Sequence, residues 1–117
     1  MPLNNYKNSY NGGMKETDIA PILAALGHTA RLGIFRLLVR AGNSGLNIGE
    51  IGRLTGLPAS TLAHHLGALV QVGLVQQEKH GREVVNHADI LAVHNVLGAL
   101  IDECCIGVDV GQDEEKV

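Results

Sequence analysis

The sequence predicts a mainly α-helical domain in which four helices, one β-hairpin and a fifth helix follow one another. Apolar residues recur at helical spacing in five segments, and only residues 74–87 hold two short strand-like runs around a Lys-His-Gly-Arg turn. The chain has 117 residues, of which 45% are apolar but only 3% aromatic, so aliphatic side chains must form its core. A domain of this length buries about two-thirds of its unfolded surface, and a second subunit would stabilise it.

Two helices are predicted in the first third of the chain. Residues 17–27 form the first, which starts at a Thr-Asp cap, accepts Pro21 in its first turn and stops at Gly27. Residues 28–42 form the second, which ends at Gly42. Its core-facing stripe consists of Ala30, Ile34, Leu37 and Leu38.

Two further helices surround a tight Thr-Gly-Leu-Pro turn. The third, residues 46–56, begins at an Asn47 cap, and the fourth runs from Pro58 to Gly73. The predicted inward residues are Ile48, Ile51 and Leu54 in the third helix and Leu62, Leu66, Leu69 and Val70 in the fourth.

The hairpin strands, residues 74–78 and 83–87, precede a last helix that begins at an Asp89 cap, extends through Cys105 and stops before Gly107. Two short helices around a glycine turn, followed by a hairpin, predict a winged helix-turn-helix. The predicted stripe of the last helix consists of Ile90, Val93, Leu97, Leu100 and Cys104.

Polar ends flank the predicted domain, residues 14–107: a disordered tail over residues 1–13 and an acidic tail over residues 108–117. The net charge is −3, but six basic and only three acidic residues lie between His28 and His87, so the middle of the chain permits DNA binding. Because no apolar run reaches the roughly 18 residues of a membrane span, we expect no membrane partner and a cytoplasmic location with reduced thiols.

The chain resembles the ArsR/SmtB family of small dimeric metal-sensing repressors over about residues 20–106. The opening "ALGHTARLGIFRLL", the segment "STLAHHLGALVQVGLV" and the wing "KHGREV" carry the resemblance, and the second of these is the most specific. The resemblance implies a homodimeric winged helix-turn-helix repressor, held together by its first and last helices. It also implies binding to an inverted-repeat operator in double-stranded DNA.

Two metal sites of that family are missing or incomplete in this sequence. The Cys-x-Cys of the third helix aligns with Asn47-Ile48-Gly49, and the zinc signature of the last helix is interrupted at Leu91 and Leu97. What remains is Cys104-Cys105, which resembles a branch of arsenic-responsive members with adjacent cysteines at the end of the last helix. The resemblance therefore implies trivalent arsenic or antimony as the inducer.

The fourth helix is predicted to lie in the major groove, because an α-helix fits there and its outward polar side chains can reach base edges. Ser60 and His64 can hydrogen-bond bases, and a hydroxyl such as that of Thr61 can bind phosphate, whereas His65 is expected beneath the helix. The alternatives are helix capping for the two hydroxyls and a solvated position for His64. The predicted DNA-binding residues are Ala59, Ser60, Thr61, Ala63, His64, and, on the wing, Lys79 and Arg82.

Three interpretations of the Cys104-Cys105 pair stay open. Both thiols could pack the last helix against a dimer partner as small apolar groups. They could form a redox or persulfide switch, although adjacent cysteines strain a disulfide, and a helix C-terminus with acidic neighbours should raise the thiol pKa. They could bind a soft ion such as trivalent arsenic or antimony, provided that the last helical turn unwinds so that both sulfurs can reach the same ion. We favour this third interpretation.

The sequence thus predicts a DNA-binding repressor that is released from its operator when Cys104 and Cys105 bind a trivalent metalloid. An alternative is a thiol-redox or persulfide-sensing repressor of the same fold. Another is a winged-helix module for protein contacts without DNA binding. An enzyme is not expected, because the sequence shows no nucleophile–base pairing, phosphate-binding glycine loop or complete metal site.

Overall fold

The computed structural model describes residues 13–111, and within them the five predicted helices and the hairpin follow one another in the predicted order, with a 3₁₀ turn and a short strand added between the second and third helices. The predicted tails lie outside the described residues over 1–12 and 112–117, so the domain limits stay predictions. The elements are α1 (Glu16–Leu26), α2 (Thr29–Ala41), a 3₁₀ turn (Gly42–Ser44), β1 (Leu46–Asn47), α3 (Ile48–Thr55), α4 (Ala59–Gln71), β2 (Val75–His80), β3 (Glu83–Ala88) and α5 (Ile90–Ile101).

The first helix, α1, begins at Glu16, just before the predicted Thr-Asp cap. The Asp18 carboxylate accepts a hydrogen bond from the backbone N–H of Lys15 at 3.0 Å, so this aspartate caps the helix from within its first turn. Pro21 consequently lies in the second turn and not in the first. Since proline has no N–H, it removes one backbone hydrogen bond of the helix there.

The third helix, α3, has the predicted cap, because the Asn47 side chain accepts from the N–H of Glu50 at 2.8 Å and the Glu50 carboxylate accepts from the N–H of Asn47 at 2.9 Å. The prediction that Ile48 and Leu54 face inward is wrong, since they are 46% and 63% exposed. Successive residues of a helix turn by about 100°, so these two side chains flank Ile51 on either side. Only the centre of the stripe, Ile51, reaches the core.

The wing is a three-stranded antiparallel sheet in the order β1-β3-β2. β2 runs to His80, two residues beyond its predicted end, and pairs there with Glu83. The remaining two-residue turn begins at Gly81, whose φ of +67° suits glycine at the first central position of a hairpin turn.

The short strand β1 pairs with the middle strand β3 and was not predicted. Its pairing is supported by Asn86, which is only 1% exposed. The Asn86 amide donates to the carbonyl of Leu46 at 3.0 Å and accepts from the Gln77 side chain at 2.8 Å. This buried side chain therefore links both outer strands to the middle one.

The core lies between α2, α3, α4 and the start of β2. The predicted inward residues Ile34 and Leu38 of α2 are confirmed, as are the three leucines of α4. Burial of each such side chain contributes about 1.5–3 kcal/mol relative to exposure. The buried apolar cluster comprises Ala25, Ile34, Phe35, Leu38, Ile51, Leu62, Leu66, Leu69, Leu74 and Val75.

The last helix, α5, ends at Ile101, so the prediction that it includes both cysteines is wrong. Val96 is its buried residue, whereas most of the predicted stripe is exposed: Ile90 by 42%, Leu97 by 52% and Leu100 by 54%. This apolar face is unpartnered within the described part of the single chain. No single described helix is long and apolar enough to cross a membrane; α1 and α2 reach that length and hydropathy only as a pair bent by 92°.

Candidate nucleic-acid interface and thiol pair

The two faces of α4 separate as the sequence predicts. Leu62, Leu66 and Leu69 are at most 3% exposed and fix the helix to the core. The opposite face is at the surface and carries small or polar side chains. Its exposed residues are Ala59, Ser60, Thr61, Ala63, His64 and Gly67.

The hydroxyls of Ser60 and Thr61 do not cap α4. The N-cap is Pro58, which makes no side-chain capping bond. Within residues 13–111 neither hydroxyl has a hydrogen-bond partner. Both hydroxyls are therefore available to a ligand at the start of this exposed helix face.

His65 lies on the buried side of α4, close to two other histidine rings. His65 is 7% exposed, and its ring lies 4.7 Å from that of His28 and 5.7 Å from that of His64. Burial lowers the pKa of His65, and the nearby charges of His28 and Arg31 lower it further. This confirms that His65 lies beneath the helix, where its neutral form is favoured. His28 is the N-cap residue of α2, because its Nδ1 accepts from the N–H of Ala30 at 3.2 Å.

The wing presents its two predicted cations at the surface. Lys79 and Arg82 are exposed, and neither side chain has a hydrogen bond or ion pair within residues 13–111. The acid beside them, Glu78, accepts from Nε2 of His80 at 3.2 Å and lies 3.3 Å from Nε2 of His87. The hydrogen bond from His80 lowers the pKa of Glu78. Within residues 13–111 this acid therefore contacts two imidazoles and neither of the two cations.

The two thiols come together in the turn that follows α5. Their Sγ atoms are 3.1 Å apart, and both residues are exposed. This is possible because the chain has already left the helix: Cys104 donates its N–H to the Ile101 carbonyl at 3.0 Å, and Cys105 adopts a φ of +69°. The unwound turn that brings both sulfurs to one side is thus present in the structure.

The contact with the Cys105 thiol raises the pKa of the Cys104 thiol. The direction is the predicted one. Within residues 13–111 no group of three His, Cys, Asp or Glu side chains is arranged to hold a metal ion. A third ligand to the two sulfurs therefore does not come from those residue types in the described chain.

Comparison with known proteins agrees with this architecture. A helix-turn-helix domain family matches residues 26–78. The chain is 30% identical over 86 residues to the HTH-type transcriptional regulator YgaV of Escherichia coli (strain K12), covering 74% of this chain and 85% of that protein.

Two solved structures share the fold at similar identity. An ArsR-like transcriptional regulator from Rhodococcus sp. RHA1 superposes with a TM-score of 0.67 at 26% identity, covering 74% of this chain and 78% of that one. HlyU from Vibrio cholerae N16961 superposes with a TM-score of 0.62 at 26% identity, covering 79% and 99%. YgaV and the Rhodococcus protein are both described as transcriptional regulators. The chain belongs to the ArsR-like family of winged helix-turn-helix transcriptional regulators.

Proposed function

We propose that this protein is a cytoplasmic repressor that binds DNA through α4 and the wing, and that it is released by a trivalent metalloid. The observation that carries the DNA-binding part is the exposed face of α4, which presents the His64 ring and the hydroxyls of Ser60 and Thr61, neither of which has a hydrogen-bond partner within residues 13–111. Small neighbours let such a helix approach base edges closely. The free cations Lys79 and Arg82 suit phosphates, which position a protein on DNA without reading sequence.

A homodimer is the form that we propose to bind DNA. In the single chain the apolar face of α5 is exposed at Ile90, Leu97 and Leu100, and Leu23 of α1 is 41% exposed. Burial of these faces against a second copy would remove apolar surface from water, which favours association. Two copies related by a twofold axis present two α4 helices, which suits half-sites about one DNA turn apart in an inverted repeat.

The thiol pair is the proposed sensor, because two soft ligands converge at 3.1 Å on an exposed turn. Trivalent arsenic or antimony prefers thiolates, and bonding to sulfur displaces the thiol protons even where the pKa is raised. With arsenous acid, the two protons leave with two hydroxides as water, and no oxidation occurs. Cys104 and Cys105 would supply two ligands, and the third would be a retained hydroxide or the carbon of an organoarsenical.

The sensor lies where it can act on the dimer. Cys104 follows Ile101 by three residues, so a rearranged turn changes how the end of α5 meets a second copy. A changed dimer interface would alter the distance between the two α4 helices. A coupling of about 1–3 kcal/mol is sufficient for operator affinity to fall about 5- to 150-fold.

The test is fluorescence anisotropy on an operator selected by the protein from a random duplex library. We expect arsenite or antimonite to release the wild-type protein but not the double variant Cys104→Ser with Cys105→Ser, which should bind DNA normally without metalloid. Release of the double variant, or no release of the wild type, would refute the sensor and leave the repressor standing. Release by peroxide or persulfide alone would favour the thiol-redox alternative.

The DNA-binding part has its own control. His64→Ala should weaken operator binding about tenfold, as expected for a lost hydrogen bond, whereas Gln71→Ala on the last turn of the same helix should not. If the folded protein shows no affinity for duplex DNA even at low salt, the protein-contact alternative is correct instead.

A further inference from the structure

A groove on the outer side of α2 has no part in the function proposed above. It has a volume of about 320 Å³ and lies between α2 and the turn that joins α3 to α4. Pockets for small ligands begin at about this size. Its lining residues are Ala30, Gly33, Ile34, Leu37, Arg40, Leu54, Thr55 and Leu57.

The floor of the groove is apolar and open to a ligand. Gly33 sits in mid-helix, and a Cβ atom built there would meet nothing within 4 Å. The wall opposite carries Leu54, which is 63% exposed, so a large apolar side chain faces solvent at this place. Covering this surface would remove apolar area from water.

Among the polar side chains that line the groove, Arg40 is without a partner in the described residues 13–111. Thr55 is satisfied internally, because its hydroxyl donates to the Ile51 carbonyl at 2.8 Å and accepts from the Leu57 N–H at 3.3 Å. Arg40 is exposed, and its guanidinium has no hydrogen bond or ion pair within residues 13–111. A guanidinium has five N–H donors and binds carboxylates through two parallel hydrogen bonds.

We propose that this groove binds a small amphipathic carboxylate, with its apolar body along the stripe from Gly33 to Leu54 and its anionic end on Arg40. One cation at the rim of an apolar surface matches a single negative charge on an otherwise apolar molecule. The volume suits a short aliphatic chain or one aromatic ring. The α3–α4 turn forms one wall of the groove, so a bound ligand would contact the segment that leads into α4. Any effect of that ligand on operator affinity rests on the proposed function.

Binding is tested without DNA, so its failure and that of the proposed function are distinguishable. The probe is octanoate, titrated into the ¹⁵N-labelled full chain and followed by amide chemical shifts. We expect shifts at α2 and the α3–α4 turn, and at least tenfold weaker binding of octanol, which lacks the charge. Octanol binding as tightly as octanoate, or octanoate shifts confined to α5, would overturn the proposal.

Three variants complete the test. Arg40→Gln should weaken octanoate binding about tenfold and leave octanol binding unchanged. Arg36 is an exposed arginine of α2 outside the groove, so Arg36→Gln should change the binding of neither compound. Gly33→Leu should fill the groove and abolish binding while keeping the helix, because leucine is a better helix former than glycine. Unchanged octanoate binding by Gly33→Leu, or a loss as large in Arg36→Gln as in Arg40→Gln, would overturn the proposal. Dissociation of a dimer by Gly33→Leu would also overturn it, by identifying a second copy as the occupant.

Discussion

A single added methyl group should have its largest effect at Gly45. This residue joins the 3₁₀ turn to β1, with φ of +62° and ψ of −174°, a region that only glycine adopts readily. A Cβ atom there would meet the Asn86 carbonyl oxygen at 2.6 Å, a Val85 methyl at 2.6 Å and the His87 ring at 2.7 Å. All three atoms belong to β3, so the methyl group would push β1 away from the middle strand of the wing.

The matched control is Gly42, three residues earlier. Its φ of +66° and ψ of −142° are similar, but a Cβ atom there would meet nothing within 4 Å. Gly42→Ala should therefore cost only the backbone strain, about 1–3 kcal/mol. Gly45→Ala should cost that strain plus about 1–3 kcal/mol for the overpacked contact, or about 2–6 kcal/mol in total.

Urea unfolding at fixed protein concentration measures the difference between the two variants. We expect the free energy of unfolding of Gly45→Ala to be lower than that of Gly42→Ala by about 1–3 kcal/mol. In a domain of this size, each kcal/mol of that difference should lower the Tm of Gly45→Ala by about 4–8 °C relative to that of Gly42→Ala. Equal stabilities of the two variants would refute the close approach of Gly45 to β3.

Three further outcomes are expected. Asn86→Ala should lower the free energy of unfolding by about 1–3 kcal/mol, because it leaves the Leu46 carbonyl without this donor; a urea midpoint unchanged from wild type would contradict that role. The pKa of His65 is lower in the folded protein, so as pH falls the unfolded chain takes up this proton first. The free energy of unfolding should therefore fall as pH drops below about 6.5, by at most about 1.4 kcal/mol per pH unit. His65→Leu should flatten this dependence between pH 8 and 5.5, and a slope equal to that of wild type would disprove the role of His65. Lys79→Gln and Arg82→Gln should each reduce the slope of log affinity against log salt by about 1, and a slope equal to that of wild type would exclude a phosphate contact.

Local sequence patterns were sufficient to predict the features that interactions between neighbouring residues determine. The apolar stripe of α4 follows the helical repeat, and its three leucines are buried as predicted. Asn47 and Asp89 were found as helix caps because a capping side chain bonds to a backbone N–H only two or three residues away. The hairpin was found because Gly81 marks its turn. The exposed face of α4 follows from the same repeat, so its surface residues could be named from the sequence.

The features that the sequence did not predict depend on contacts between residues far apart in the chain. Two residues are too short a signal for β1, whose pairing depends on Asn86, 40 positions further along the chain. Whether Leu54 is buried depends on how far α3 reaches into the core, which no periodicity records. The end of α5 four residues before Cys105 brings two sulfurs together that a continued helix would have turned about 100° apart. Sequence thus determined which faces are apolar and where helices start, whereas tertiary packing determined which of those faces are covered, because burial requires a partner surface that only the folded chain supplies.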